Sequence, residues 1–441
     1  MNYWIKHCEP PRSRSEGMRW DVFISYRSLD RIWAIALYDM LKQCGYQVFL
    51  DQFVLVTGQG LASQLGKNLD RSASGVLLWS KSTDDSNWVE NEMDTMIARK
   101  NSTAGTEVPF FFVVASLDGK PPPGLLAGQL YLDFSEYSEG PGGADLVRLT
   151  SGLQGVPIGE DAVIRIVSYD QAVNEEPAKL RAMATAKRFE KIFERVTSDE
   201  LAYTTSATLP GLAVEILIRG AVQPEEHERA IEAAKLALER FPNSLRLKQL
   251  QGLALRRSGR LDDALYELTL LHEEGHRDTE TLGILAAVWA DKWAQLKKSG
   301  DTSGARDALE RSRNLYREGF AKVPTDTYTG INAASKSALL GEIDVAIVLA
   351  DQVLAELKAA RDKRGGEPSP DYWQRVTEPE ALLIKGEWER SLELYHDARI
   401  AHQHEKGSIQ STAIQVKRLL GTLEVPDDIK KKLVAEFDLV S

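Results

Sequence analysis

Trp88 and Glu92 stand four residues apart in a stretch of helical periodicity, so an indole and a carboxylate share one side of a helix and the indole can shield the carboxylate from water. By spacing alone, a glutamate in the first turns of a helix is a solvated side chain favoured by the helix dipole. Placed in a cleft, it becomes a group that can stabilise a developing positive charge or orient a nucleophile. Gly58-Gln59-Gly60 has the look of a phosphate-binding loop, yet it lacks both the GxGxxG completion and a following Lys-Ser/Thr, and it reads as a turn. His272 and His276 are four apart and His402 and His404 two apart, with no third ligand at metal spacing, so no metal site is expected. Cys8 and Cys44 are the only cysteines, which leaves no CxxC pair and no disulfide framework.

A frame must hold such a carboxylate. From Trp20 the apolar pattern alternates between short β-rich runs and longer helical stretches, the mark of βαβ units around a parallel sheet. Five strands are expected: Trp20 to Tyr26, Gln47 to Leu50, Ser74 to Ser80, Val108 to Ala115, and a short one near Gln129 to Leu132. The first connecting helix carries Trp33, Leu37 and Leu41 and stops at Gly45, and the second carries Leu61, Leu65 and Leu69. The third begins near Asn87, with Glu90 three residues on as in a capping box and Val89, Met93, Met96 and Ile97 on its buried face. A last helix is expected around Leu146 to Leu153. In a doubly wound sheet, ligands sit beyond the carboxyl ends of the strands. Tyr26 and Arg27 follow the first strand, Asp51 to Gly60 follow the second, and Glu92 lies one turn into the helix after the third, so all converge on one crevice.

After Gly155 strand-like runs become rare, and Ala, Leu, Glu, Lys and Arg dominate. Within this helical half, three segments share a helix-turn-helix pattern in which a Gly closes one helix and a small residue follows five positions later: Gly259 with Ala264, Gly341 with Ala346, and Gly386 with Ser391. The Gly fits a left-handed turn and the small side chain lets the second helix approach the first. Gly259 and Gly341 are 82 residues apart and Gly341 and Gly386 only 45, which reads as an irregular array.

At 441 residues and 43% hydrophobic content, the chain can bury more than one core. Its net charge is −11, with −4 in residues 1 to 155 and −7 in the remainder, so neither half offers the positive excess that nucleic acid requires. No run approaches the roughly 18 apolar residues of a membrane span, and the start, MNYWIKHCEP, lacks a signal sequence. A soluble, cytoplasmic protein with no direct nucleic-acid or membrane partner is expected.

Three runs in order, DVFISYRSLDR (Asp21 to Arg31), GYQVFLDQFVLVTGQGL (Gly45 to Leu61) and SGVLLWSKSTDDSNWVENEM (Ser74 to Met93), resemble a TIR domain over residues 18 to 155. The resemblance implies a flavodoxin-like fold with a five-stranded parallel sheet. It also implies cleavage of the bond between nicotinamide and ribose in NAD, as in many members, with Glu92 as the catalytic glutamate four residues after Trp88. By the same carry-over Tyr26, Arg27, Ser28, Gly58, Gln59 and Trp88 line the nucleotide site, with the loop from Asp51 to Gly60 closing over it or touching a neighbouring TIR. NAD would be substrate, with no further cofactor. Because its nicotinamide is already cationic and leaves as a neutral base, one carboxylate suffices where ordinary glycosidases need two, and Arg27 would suit the pyrophosphate.

The runs YREGFAKVPTDTYTGINAASKSALLGE (Tyr316 to Glu342) and DYWQRVTEPEALLIKGEWERSLELYHDA (Asp371 to Ala398) resemble the TRAF-binding, tetratricopeptide-like domain of apoptosis signal-regulating kinases, which is also fused to TIR and other effectors in bacteria. The resulting organisation is an N-terminal tail (1–17), the TIR domain (18–155), a linker (156–176) and an all-α, TPR-like solenoid (177–441). The two resemblances together imply an NAD-cleaving bacterial antiviral defence effector, switched on by TIR self-association, with the helical array as sensor or oligomerisation module and a protein or nucleotide as its ligand. The alternatives are a non-enzymatic TIR adaptor and a cyclase making an ADP-ribose-derived messenger.

Overall fold

Residues 20–25, 48–49, 72–79, 111–116 and 132–133 pair into one parallel sheet in a computed structural model of the chain, which describes residues 3–27, 30–51, 61–80, 87–119, 131–135, 137 and 140–438. The side chains of 61–63, 87–91, 406 and 407 also lie outside that description. The chain divides into two units, Met1–Leu250 and Gln251–Ser441.

In the first unit the strands are Trp20–Ser25 (β1), Val48–Phe49 (β2), Ser72–Trp79 (β3), Phe111–Ser116 (β4) and Leu132–Asp133 (β5), in the order β2-β1-β3-β4-β5. All five expected strands are present. The fourth begins three residues later than expected, at Phe111, beyond Pro109, whose nitrogen has no hydrogen to give to a ladder. Helices Arg31–Gln43 (α1), Leu61–Asp70 (α2), Asn87–Thr103 (α3) and Gly143–Gln154 (α4) cover both faces. Alternation along the strands divides the core. Val22, Ile24, Val76 and Leu78 pack with Leu37 of α1 and Leu149 of α4, while Phe23, Phe49 and Leu77 pack with Leu69 of α2 and Met96 of α3. Burial on both faces is why these strands are nearly continuous apolar runs.

The segments expected as tail and linker are structured. Tyr3–His7 form a 3-10 turn that buries Trp4 completely, and Glu160–Thr185 form one 26-residue helix (α5) across most of the segment 156–176. Trp4 packs with Ala144 and Val147 of α4 and with Ala162, Ile166 and Tyr169 of α5. The spacing of those three α5 residues is a helical stripe that the short linker reading passed over. Farther along the tail, the backbone N–H of Glu9 donates to Thr150 Oγ1 (3.1 Å), and a guanidinium N–H of Arg12 donates to the Pro109 carbonyl (2.7 Å).

The helices that follow are Phe189–Val196 (α6), Leu201–Thr204 (α7), Thr208–Gly220 (α8), Pro224–Arg240 (α9), Leu245–Arg257 (α10), Leu261–Glu273 (α11), Thr279–Ser299 (α12), Thr302–Lys322 (α13), Thr327–Leu339 (α14), Ile343–Lys363 (α15), Tyr372–Lys385 (α16), Trp388–Ala401 (α17), Lys406–Leu420 (α18) and Asp427–Glu436 (α19). In the second unit consecutive helices from α11 to α17 pack on one another, and α14, α16 and α18 also touch directly, as in a helical-repeat solenoid.

The glycines expected to turn the repeats do so. Gly259, Gly341 and Gly386 have φ of +84°, +82° and +84°, and Ala264, Ala346 and Ser391 are fully buried. The array is more regular than its reading as an irregular one. Gly300, with φ +85° and Ala305 buried five positions on, is a fourth member between α12 and α13, so the intervals become 41, 41 and 45 residues. Both of its helices are 21 residues long, against 13 for the two beside Gly259, which hides the pattern.

Candidate active site

The strand order reverses at β1, which has β2 on one side and β3 on the other, and the carboxyl ends of β1 and β3 therefore open a crevice between diverging connections. Three side-chain pairs tie this edge together. Ser25, the last residue of β1 and almost completely buried, donates its hydroxyl to Oε2 of Glu92 on α3 at 2.5 Å. Tyr26 donates its hydroxyl to Oδ1 of Asp51, just past β2, at 2.7 Å. Ser80, just past β3, donates to Oδ2 of Asp30 at the start of α1 at 2.9 Å.

Each pair joins two strand ends or a strand end and a helix, so the polar groups are held by the sheet and not by one loop. Glu92 is partly buried, and a carboxyl group so placed, with a short hydrogen bond fixing one oxygen, is oriented before any ligand arrives. Burial, and then the bond to Asp51, hold the Tyr26 hydroxyl well above the ordinary tyrosine range, so it remains a neutral donor. Among the described residues no group of three His, Cys, Asp or Glu is arranged to hold a metal ion.

Of the residues expected at the site, Glu92, Tyr26 and Arg27 stand at this edge. Arg27 is partly buried, and its carbonyl accepts from the Asp30 N–H at 2.8 Å. Trp88 lies in the first turn of α3, but its side chain, like Ser28, Gly58 and Gln59, lies outside the described residues. Reasoning from sequence passed over Ser25, Asp30 and Ser80. The available signal was polarity at the ends of apolar parallel strands, with Ser25 closing β1 and Ser80 directly after β3, whereas Asp30 was marked only by its place ahead of α1.

A family model described as a TIR domain matches residues 22–147, the stretch that contains β1 to β5 and the three pairs. This segment is a TIR domain. A second model, Tetratricopeptide Repeats-Sensor, matches residues 226–340. The TIR domain is 31% identical over 83 residues to a 2' cyclic ADP-D-ribose synthase of Bacteroides thetaiotaomicron, a match covering 19% of this chain and 29% of that protein. It is 28% identical over 116 residues to a probable 2' cyclic ADP-D-ribose synthase of Brachypodium distachyon, covering 26% and 50%. It is 29% identical over 106 residues to the TMV resistance protein N of Nicotiana glutinosa, covering 23% and 9%. The chain thus spans half or less of the length of each of these relatives. A crystal structure of a thermophilic TPR protein from Thermus thermophilus aligns over 49% of this chain and all of that one, at 17% identity and a TM-score of 0.37. Among the described residues no helix is long and apolar enough to cross a membrane.

Proposed function

We propose that the chain is an NAD-cleaving enzyme whose TIR domain breaks the bond between nicotinamide and ribose, with Glu92 as the catalytic carboxylate. The observation that carries this reading is the hydrogen bond from buried Ser25 to Glu92 at the β1/β3 switch point. Departure of nicotinamide as a neutral base leaves positive charge on the ribose. Glu92 would stabilise that oxocarbenium-like charge and orient the acceptor. Addition of water gives ADP-ribose, whereas attack by a hydroxyl of the same molecule closes a ring. Two relatives are named for cyclic ADP-ribose synthesis, which supports ring closure as the second outcome at the same site.

Arg27 is assigned to the pyrophosphate, and Tyr26, Ser28, Gly58, Gln59 and Trp88 to the remainder of the nucleotide site. NAD is substrate, and no cofactor is required. Activation is assigned to TIR self-association, and the helical unit to sensing or oligomerisation in a bacterial antiviral defence effector.

Purified full-length chain incubated with NAD over a series of protein concentrations tests this reading, with nicotinamide release and product identity as readouts. Release should climb more steeply than protein concentration and disappear in Glu92→Ala at unchanged circular dichroism. A Glu92→Ala variant as active as wild type, or no release at any concentration, overturns it.

A further inference from the structure

The two cysteines of the chain meet in space. Cys44 caps the carboxyl end of α1, Cys8 follows the Tyr3–His7 turn, and the two thiols are near enough to influence each other's ionisation. Their proximity follows from the backbone, because the segments run alongside each other. Tyr46 donates its hydroxyl to the Glu9 carbonyl at 2.7 Å, and Pro11 Cδ lies 3.7 Å from where a Cβ on Gly45 would stand. Both thiols are free and partly exposed.

We propose that Cys8 and Cys44 form a reversible intramolecular disulfide that clasps the N-terminal segment to the end of α1. The bond closes a loop of 36 residues that contains β1, α1 and Ser25, Tyr26, Arg27 and Asp30. Trp4 already anchors the same N-terminal segment to α4 and α5, so the clasp links α1 to both through four residues of chain. It is independent of the reaction assigned to Glu92.

The oxidant is a low-molecular-weight disulfide such as oxidised glutathione. The Cys44 thiolate attacks one of its sulfurs, its S–S bond breaks, and one glutathione thiolate departs, leaving a mixed disulfide on Cys44. The Cys8 sulfur then attacks the Cys44 sulfur and expels the second glutathione, which takes up the Cys8 proton. Two protein thiols are oxidised and one disulfide is reduced to two thiols. The Cys8 thiol donates to the Trp4 carbonyl at 3.4 Å and is held protonated by that bond, which leaves Cys44 for the first step.

The test exposes native, full-length protein to oxidised glutathione, blocks remaining thiols with N-ethylmaleimide, and reads intact mass and linked peptides. The expected product is a monomer lighter by two hydrogens, carrying neither label nor glutathione, with the Cys8 and Cys44 peptides joined. Its melting midpoint should rise by a few degrees, reversed by dithiothreitol, because the cross-link constrains the unfolded chain. Cys8→Ser and Cys44→Ser should each stop at a single glutathione adduct without that rise. Wild-type protein in which both cysteines remain alkylated, or each carries its own glutathione, overturns the proposal, as does a midpoint that falls on oxidation.

Discussion

The hydroxyl of Ser25 and the carboxylate of Glu92 are 2.5 Å apart although 67 residues separate them in the chain, so the final residue of β1 orients an acid carried by the helix after β3. Ser25→Ala should lower kcat for nicotinamide release about 10-fold and leave KM nearly unchanged, because the lost bond orients the carboxylate and does not itself hold the nucleotide. Steady-state kinetics over an NAD series decide it. A KM effect at constant kcat would instead place Ser25 in substrate binding.

Lys336 of α14 is buried, with Nζ bonded to Asn332 Oδ1 at 3.2 Å, and burial pushes its pKa down to about 8 against the opposing pull of Glu380, with Arg418, Asp291 and Arg256 adding smaller influences. Between that value and the ordinary 10.5, the folded chain has released a proton that the unfolded chain retains, so stability rises with pH across this window. Relative to Lys336→Met, wild type should gain on the order of 3 kcal/mol from pH 8 to 10.5. Urea unfolding of both proteins across that range measures the difference, and parallel curves would refute it.

Gly300 and Gly341 have φ of +85° and +82° with no atom within 4 Å of an added Cβ, so Gly300→Ala and Gly341→Ala each meet only the left-handed backbone. Each should cost about 1 kcal/mol, and nearly the same amount. Gly252→Ala differs, since its Cβ would fall 2.6 Å from Leu268 Cγ, and overpacking should cost about 2 to 3 kcal/mol. Chemical denaturation of the three variants tests the ranking and the place of Gly300 in the repeat.

Trp4 is fully buried against α4 and α5, so Trp4→Ala should destabilise the first unit by about 3 to 5 kcal/mol. Thermal unfolding followed by tryptophan fluorescence is the measurement. A change below about 1 kcal/mol would show that the N-terminal segment contributes little to the fold.

Features repeated at short range were legible in the residues themselves. Alternation and apolar runs set five strands, the Gly-to-small spacing set three of the four repeat turns, and helical periodicity put Glu92 near the start of α3, because backbone geometry imposes a period on which side chains face a core. Tertiary structure alone decided which distant groups meet. Ser25 finds Glu92, Ser80 finds Asp30 and Cys8 finds Cys44 across dozens of residues, and Trp4 makes a tail into part of the core. Such pairings follow from strand order and helix packing, which bring side chains together through burial over the whole unit and leave no mark on local spacing.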